Sequence, residues 1–344
     1  MKLPFVSVIV PSKRKSIVLQ RCLRSLEEQD YPSALLEIIV ASVEPQNIKK
    51  VGSITIRNIW CGQVNQAEAR NIAETLSKGE ILAFCDDDCV LPSRWIANGI
   101  KHFLVDNSVA TVGGPTIPPL SGVPFREKIS GLLMNSYLGT GSHRKAYLKD
   151  RQEAHACCPT ELICANMFVD RTKFREVGGF DAIVPQEEER LNSKLLKKGY
   201  KLIRDPDCFG IHYQRAYGLK YIKNIFWLAM GRARLTVEEP TAINKLYLIP
   251  VFFVLGLFTG PFLFWIPLIK IAYISSLVLY TTVLLGESLR LVLKLNKQKL
   301  QTFLALPLCF LIHHLTFGIG SIFGYLLQTP SIVKNVYSKL RASK

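Results

Sequence analysis

The sequence predicts an α/β domain built on a doubly wound sheet, followed by a helical transmembrane region. Three observations predict it. Strand and helix patterns alternate through residue 90, as in a doubly wound sheet. The apolar run Ile81-Leu82-Ala83-Phe84-Cys85 stops abruptly at three adjacent carboxylates, Asp86-Asp87-Asp88. Long, almost uncharged apolar runs fill the last third of the chain.

Taken in order, residues 5–10 are β-branched and apolar between two prolines, which suits a central parallel strand. A basic loop, Pro11-Ser12-Lys13-Arg14-Lys15, follows. Leu19, Cys22, Leu23 and Leu26 then fall at helical spacing over 18–28, and Tyr31-Pro32 breaks that helix. Residues 36–41 and 53–60 read as the second and third strands. Residues 65–77 read as a helix burying Ala67, Ile72, Ala73 and Leu76, with Lys78-Gly79 closing it. Right-handed crossovers collect the loops after each strand at one edge. The loop at Lys13 and the triplet at 86–88 therefore face one crevice.

Beyond the triplet, Val112-Gly113-Gly114-Pro115 to Pro124 is Gly/Pro-rich, as in a loop that lines a site. Residues 125–151 read as helix and then loop, 162–169 as a strand, and Gly178-Gly179-Phe180-Asp181 as a turn. A helix over 185–198 opens on Glu187-Glu188-Glu189 and ends at Gly199. Residues 201–204 and 210–213 are short extended pieces. Over 218–235, Leu219, Ile222, Phe226 and Ala229 share a helical face and Lys220, Lys223, Arg232 and Arg234 lie elsewhere. That pattern suits a helix in a membrane interface.

The runs over 246–269, 271–285 and 303–327 each approach the ~20 residues needed to span a bilayer, giving two or three spans. Gly260-Pro261 interrupts the first as a kink, turn or re-entrant bend. The Lys/Arg bias orients the chain. Arg232, Arg234 and Lys245 precede the spans, and Arg290, Lys294, Lys297 and Lys299 fill the second loop. Both place the first domain in the cytoplasm, on a multi-pass protein of the cell membrane. With three spans the tail, carrying Lys334, Lys339, Arg341 and Lys344, falls outside against the bias. The expected division is a catalytic domain over 1–217, an interface helix and linker over 218–245, membrane helices over 246–328 and a basic tail over 329–344.

Composition narrows the partners. The 344 residues carry 43 Lys+Arg against 27 Asp+Glu, a net charge of +16, which fits a nucleotide, a nucleic acid or an anionic membrane surface. No nucleic-acid-binding motif accompanies that charge, and much of it flanks the apolar runs, so a nucleic-acid partner is discounted. The 9 cysteines are scattered without a paired CxxC, which indicates neither a disulfide framework nor a zinc site. Three adjacent carboxylates repel one another and are costly to desolvate, so a cation belongs beside them. Hard oxygen ligands suit Mg²⁺ or Mn²⁺ bridging to phosphates. An acidic helix start is the blander account of the triplet.

The segments Val6-Ser7-Val8-Ile9-Val10-Pro11, Ala69-Arg70-Asn71 and Gly79-Glu80 through Asp88 resemble the family 2 glycosyltransferases of GT-A fold. Ala165-Asn166-Met167, Val177-Gly178-Gly179-Phe180-Asp181 and Lys198-Gly199-Tyr200 continue that resemblance in order over roughly residues 3–235. The apolar C-terminus is similar to that of members ending in a few hydrophobic helices, with His314 to Gly320 matching their His-x-x-(aromatic)-Gly-x-Gly pattern. The resemblance implies a Rossmann-like mixed sheet and transfer, with inversion, of a sugar from a nucleotide-sugar donor to an acceptor hydroxyl. It places Asp86 and Asp87 on the nucleotide-sugar and Asp88, with Asp86, on the divalent metal. Pro11, Lys13 and Arg70 are matched to the nucleotide side, and Asn166 and Gly179 to the acceptor side. The base is the Asp of a Glu-Asp pair, which falls here on Glu188, with Glu187 and Glu189 as alternatives if the register slips. The family ends its second strand with a base-reading Asp. Here Glu44 is the nearest carboxylate.

These readings describe a membrane-anchored, metal-dependent hexosyltransferase acting on a lipid-linked or cell-envelope glycan acceptor. A catalytically inactive scaffold that binds nucleotide-sugar is the alternative, favoured by the missing strand-end Asp. A processive polysaccharide synthase fits less well, because Gln214-Arg215-Ala216-Tyr217-Gly218 lacks the Trp of the Gln-x-x-Arg-Trp motif.

Overall fold

A computed structural model describes residues 2–13, 16–46, 48, 50–51, 54–150, 153–182, 185–238 and 245–327. The chain divides into two compact units. One is Met1–Pro119 with Ser142–Gln214, and the other is Leu120–Gly141 with Arg215–Lys344.

The first unit opens with β1 (Val6–Ser12), α1 (Ile17–Glu27), β2 (Leu36–Ser42), β3 (Lys50–Val51), β4 (Ile54–Trp60), α2 (Gln66–Thr75) and β5 (Ile81–Cys85). β1 and β2 are buried along their whole length, as continuous apolar strands covered on both faces should be. α1 follows because Ser16 caps it and Leu19, Cys22, Leu23 and Leu26 line its inner face. α2 starts on a capping box in which Asn65 and Glu68 satisfy each other's backbone N–H at 3.0 Å. The turn into β5 needs glycine, since a Cβ on Gly79 would lie 2.5 Å from the Ser7 nitrogen. The Ser7 hydroxyl instead accepts the Gly79 N–H at 2.7 Å and donates to Glu37 at 2.6 Å.

The unit continues through β6 (Cys89–Val90), α3 (Trp95–Val105), β7 (Val109–Gly113) and β8 (Thr116–Ile117). The second unit then takes α4 (Phe125–Met134) and α5 (Tyr137–Thr140). The chain returns to the first unit with β9 (His155–Ala156), β10 (Asn166–Asp170), α6 (Arg171–Glu176), α7 (Glu187–Lys197), β11 (Lys201–Arg204) and β12 (Gly210–His212).

Among the described residues the main sheet runs β3-β4-β2-β1-β5-β10-β7-β11-β9. The alternation through residue 90 is parallel: β1 pairs with β2 and β5, and β2 with β4. β10 is antiparallel to both β5 and β7, which makes the sheet mixed. This is the mixed sheet that the resemblance implies, with β1, β2, β4 and β5 of the alternating first ninety residues parallel. A small sheet of order β6-β12-β8 forms separately, with His212 opposite Cys89.

In the second unit, α8 (Leu219–Glu238), α9 (Ile249–Thr259), α10 (Pro267–Leu293) and α11 (Lys299–Leu326) follow among the described residues. Among the described residues three stretches are long and apolar enough to cross a membrane: Lys245–Leu263, Pro267–Leu293 and Lys299–Leu326. At Gly260 the first passes from α-helix into a 3₁₀ turn, Gly260–Leu263, before α10 begins at Pro267.

The amphipathic α8 is packed along α11. A Cβ on Gly320 would lie 2.6 Å from the Phe226 carbonyl, and one on Gly324 would lie 2.7 Å from Ala233 Cβ. Small residues spaced four apart let two helix backbones approach this closely. The pairs Tyr217–Cys309 and Tyr221–His313 continue the contact in the same chain direction, so α8 and α11 run parallel. A helix resting on a membrane interface by one apolar face is therefore an incomplete account of residues 219–238. The 239–244 linker and the basic tail lie outside the described residues.

Candidate active site

The site forms where β1, β2 and β5 end. Parallel pairing sets Ser12 opposite Ser42, and the following residues continue it. The Val43 N–H donates to the Ser12 carbonyl at 3.1 Å and the Glu44 N–H to the Lys13 carbonyl at 3.2 Å. Pro11 is buried in β1, whereas Lys13 and Glu44 are exposed beside each other. Arg14 lies outside the described residues.

Immediately after β5 the three aspartates diverge. Asp86 accepts a 2.8 Å hydrogen bond from Arg70 Nη2. Asp87 turns back to β1 and accepts the Ser12 hydroxyl at 2.7 Å. Burial pushes the Asp87 carboxyl up to about 6, with Asp88 and Asp86 adding repulsion while Ser12 and His212 oppose the shift. Asp88 meets His212 Nε2 at 2.9 Å.

That histidine arrives through the small sheet, where β12 pairs with β6 just after Asp88. Asp88, Cys89 and His212 bring ligand atoms within 4.8 Å of one another. Cys89 is fully buried and its thiol is held far above its ordinary range by burial first, then by the charges of Asp86 and Asp88. Its Sγ donates to the Ala165 carbonyl at 3.5 Å. The expected metal pair was Asp88 with Asp86. The structure brings His212 beside Asp88, and Asp86 Oδ1 accepts from Arg70. The sequence held no local signal for His212, because 124 residues separate it from Asp88.

The second acidic triplet opens α7, behind Gln186 in the left-handed region at φ 77°. Glu187 is buried and receives Arg70 Nη1 at 3.1 Å. Glu189 is also buried, whereas Glu188 is half-buried. Burial, and then the charge of Glu187, pushes the Glu188 carboxyl up to about 8. Cys164 lies with Glu187 and Glu188, their ligand atoms within 4.8 Å of one another.

Three residues assigned from motifs take other places. Arg70 is 1% exposed, and its two terminal nitrogens are engaged by Asp86 and Glu187, so it sits beneath the site rather than against a nucleotide. Asn166 is fully buried, accepting Trp95 Nε1 at 2.7 Å and donating to the Cys208 and Gly114 carbonyls at 2.7 and 3.0 Å. Its amide is spent on tying β10 to neighbouring loops instead of facing an acceptor. Gly179 adopts φ 69°, and a Cβ there would lie 2.9 Å from Asn71 Oδ1. It is a packing position against α2.

Residues 7–168 match the family model described as glycosyl transferase family 2. The chain carries a family 2 glycosyltransferase domain. Glycosyltransferase AglE of Haloferax volcanii is 24% identical over 270 residues, covering 75% of this chain and 83% of that protein. Among solved structures, the mannosyltransferase PcManGT from Pyrobaculum calidifontis, in complex with GDP-Man and Mn²⁺, superposes with a TM-score of 0.57 at 18% identity. That match covers 95% of this chain and 88% of PcManGT, and it shows a shared GT-A fold. Residues 7–168 thus carry a glycosyl transferase family 2 domain on a GT-A-like fold, followed by helices long and apolar enough to cross a membrane.

Proposed function

We propose that this glycosyltransferase is an inverting, metal-dependent hexosyltransferase anchored in the cell membrane. It moves a sugar from a nucleotide-sugar donor to a hydroxyl of a lipid-linked or cell-envelope glycan acceptor. The observation that carries the reading is the pairing of Asp88 with His212 at the end of β5, joined through Asp86 and Arg70 to the helix that carries Glu188. Carboxylate oxygen suits Mn²⁺ or Mg²⁺, and an imidazole nitrogen beside it favours the transition ion Mn²⁺; Asp88 and His212 would hold that ion. When bound, it would neutralise the charge that develops on the departing diphosphate.

In this reading Pro11, Lys13, Glu44 and Asp87 border the nucleotide, because the ends of β1, β2 and β5 converge there. Glu188 removes the acceptor proton as the acceptor oxygen bonds to the anomeric carbon. The bond from that carbon to the diphosphate breaks, the nucleoside diphosphate leaves, and the configuration inverts. A carboxyl with raised proton affinity is suited to this work near neutral pH. The PcManGT complex supports a nucleotide-sugar donor by fold likeness.

In this reading residues 1–217 are the catalytic domain, with 120–141 looped out into the second unit, 218–245 an amphipathic interface helix and linker, 246–328 a multi-pass anchor and 329–344 a basic tail. The catalytic domain faces the cytoplasm, as the Lys/Arg bias supports. One observation favours an inactive scaffold instead: β2 ends without Asp, and Glu44 is exposed.

Detergent-purified protein assayed across a panel of nucleotide-sugars with Mn²⁺ or Mg²⁺ tests the proposal. Turnover with a donor, lost on chelation and in Asp88→Ala and Glu188→Gln, is the expected result. Metal-dependent nucleotide binding without turnover, even with lipid acceptors added, would install the scaffold reading.

A further inference from the structure

Arg70 is among the largest fully buried side chains of the protein, and it is charged. A buried guanidinium persists only where anions and hydrogen bonds compensate it. Here the compensation comes from both acidic triplets at once. Nη2 donates to Asp86 at 2.8 Å, and Nη1 donates to Glu187 at 3.1 Å. The two carboxylates lie 101 positions apart in sequence, one at the end of β5 and one in the first turn of α7. The Phe180 ring lies under the guanidinium, 5.9 Å from its carbon to the ring centroid. The fork of Arg holds two acceptors in fixed relative positions, which a lysine cannot do.

We infer that Arg70 is a positioning residue that couples the donor-side carboxylates to the helix presenting the acceptor-side base. This inference rests on the proposed transferase reading. Any event that draws Asp86 away from Arg70, or toward it, changes the compensation left for Glu187. Glu188 is adjacent to Glu187, and the groups facing it are Glu187, Glu189, Arg70 and Cys164. Removing the Arg70 cation leaves mainly anions and a thiol around Glu188, whereas neutralising Glu187 removes an anion. The two changes act on Glu188 in opposite senses.

The full chain in detergent, titrated with GDP and with UDP in the presence of Mn²⁺, provides the test. Wild type is compared with Glu187→Gln, Arg70→Met and the double variant. Glu187 is not assigned a nucleotide contact. Coupling through Arg70 nonetheless predicts that Glu187→Gln changes nucleotide affinity about 3- to 10-fold, and that this effect vanishes when Arg70 is already Met. If Arg70→Met does not fold by thermal melting, Arg70→Lys replaces it. That variant keeps the charge but reaches one carboxylate, and it should likewise uncouple the sites. Where turnover is measurable, the pH profile of kcat/KM should move alkaline in the Arg70→Met variant and acid in the Glu187→Gln variant. Effects that add independently, or profiles that move together, would overturn the inference while leaving the transferase reading intact. Failure of wild type to bind any nucleoside diphosphate or to turn over any donor of the panel with Mn²⁺ would overturn both.

Discussion

The two acidic triplets, Asp86-Asp87-Asp88 and Glu187-Glu188-Glu189, are nearly the same text but live in different surroundings. In the aspartate triplet each carboxylate finds a different partner: Arg70, the Ser12 hydroxyl and His212. In the glutamate triplet Glu187 takes the cation, and its neighbour Glu188 is left half-buried beside that negative charge. In the proposed function the first triplet holds a cation and the second holds and releases a proton. Run length of acidic residues carries no information on this division. The strand end, the helix start and the placement of one arginine decide it.

If that division is right, Glu188→Gln should cost the most, about 10²- to 10⁴-fold in kcat, while nucleotide affinity in Mn²⁺ stays near wild type. Retained turnover would shift the base to Glu187 or Glu189 and erase the contrast. Asp88→Ala should cost about 10²- to 10³-fold in turnover and, unlike the glutamine variant, should also weaken Mn²⁺-dependent nucleotide binding in the same titration. For His212→Ala a smaller loss is expected, a Mn²⁺ affinity lower by about 10- to 100-fold, recovered at high Mn²⁺. An unchanged Mn²⁺ requirement would remove His212 from the site.

The pH dependence sharpens the comparison further. The base works deprotonated and its folded-state carboxyl is raised to about 8. The kcat/KM profile should therefore climb with pH, about tenfold per unit, and level near pH 8. An inflection at 4 to 5, typical of an unperturbed glutamate, would contradict the raised carboxyl. Stability has the opposite sign. The folded state holds a proton that the unfolded state releases in the usual carboxylate range, so this group's contribution is full at low pH and fades as pH rises toward 8.

Much of this fold is written locally. β1, β2, β4, β5, α1 and α2 lie within two or three residues of where β-branched runs, caps and helical spacing place them. The antiparallel course of β10 was not legible, because direction depends on pairing with β5 and β7 rather than on residues 166–170. His212 was hidden for the same reason: a short extended piece acquires its role only by lying against β6. Asn166 was legible as a motif, but its environment turns the amide into a wall tie. The destination of α8 had a signal that amphipathicity does not show. The Gly320-x-x-x-Gly324 spacing on α11 is the counterpart of its small residues.

The return of the chain after α5 has a consequence for biogenesis. Residues 120–141 belong to the second unit, and their partners there are made only after β12 of the first unit. Leu138 and Gly139 offer their carbonyls to His314 and His313 on α11, and Ser136 donates to Glu287 on α10. The sheet can close once β11 has emerged, yet α4 and α5 must wait for α10 and α11. A nascent chain can thus close its sheet well before this looped-out segment finds its seat against α10 and α11.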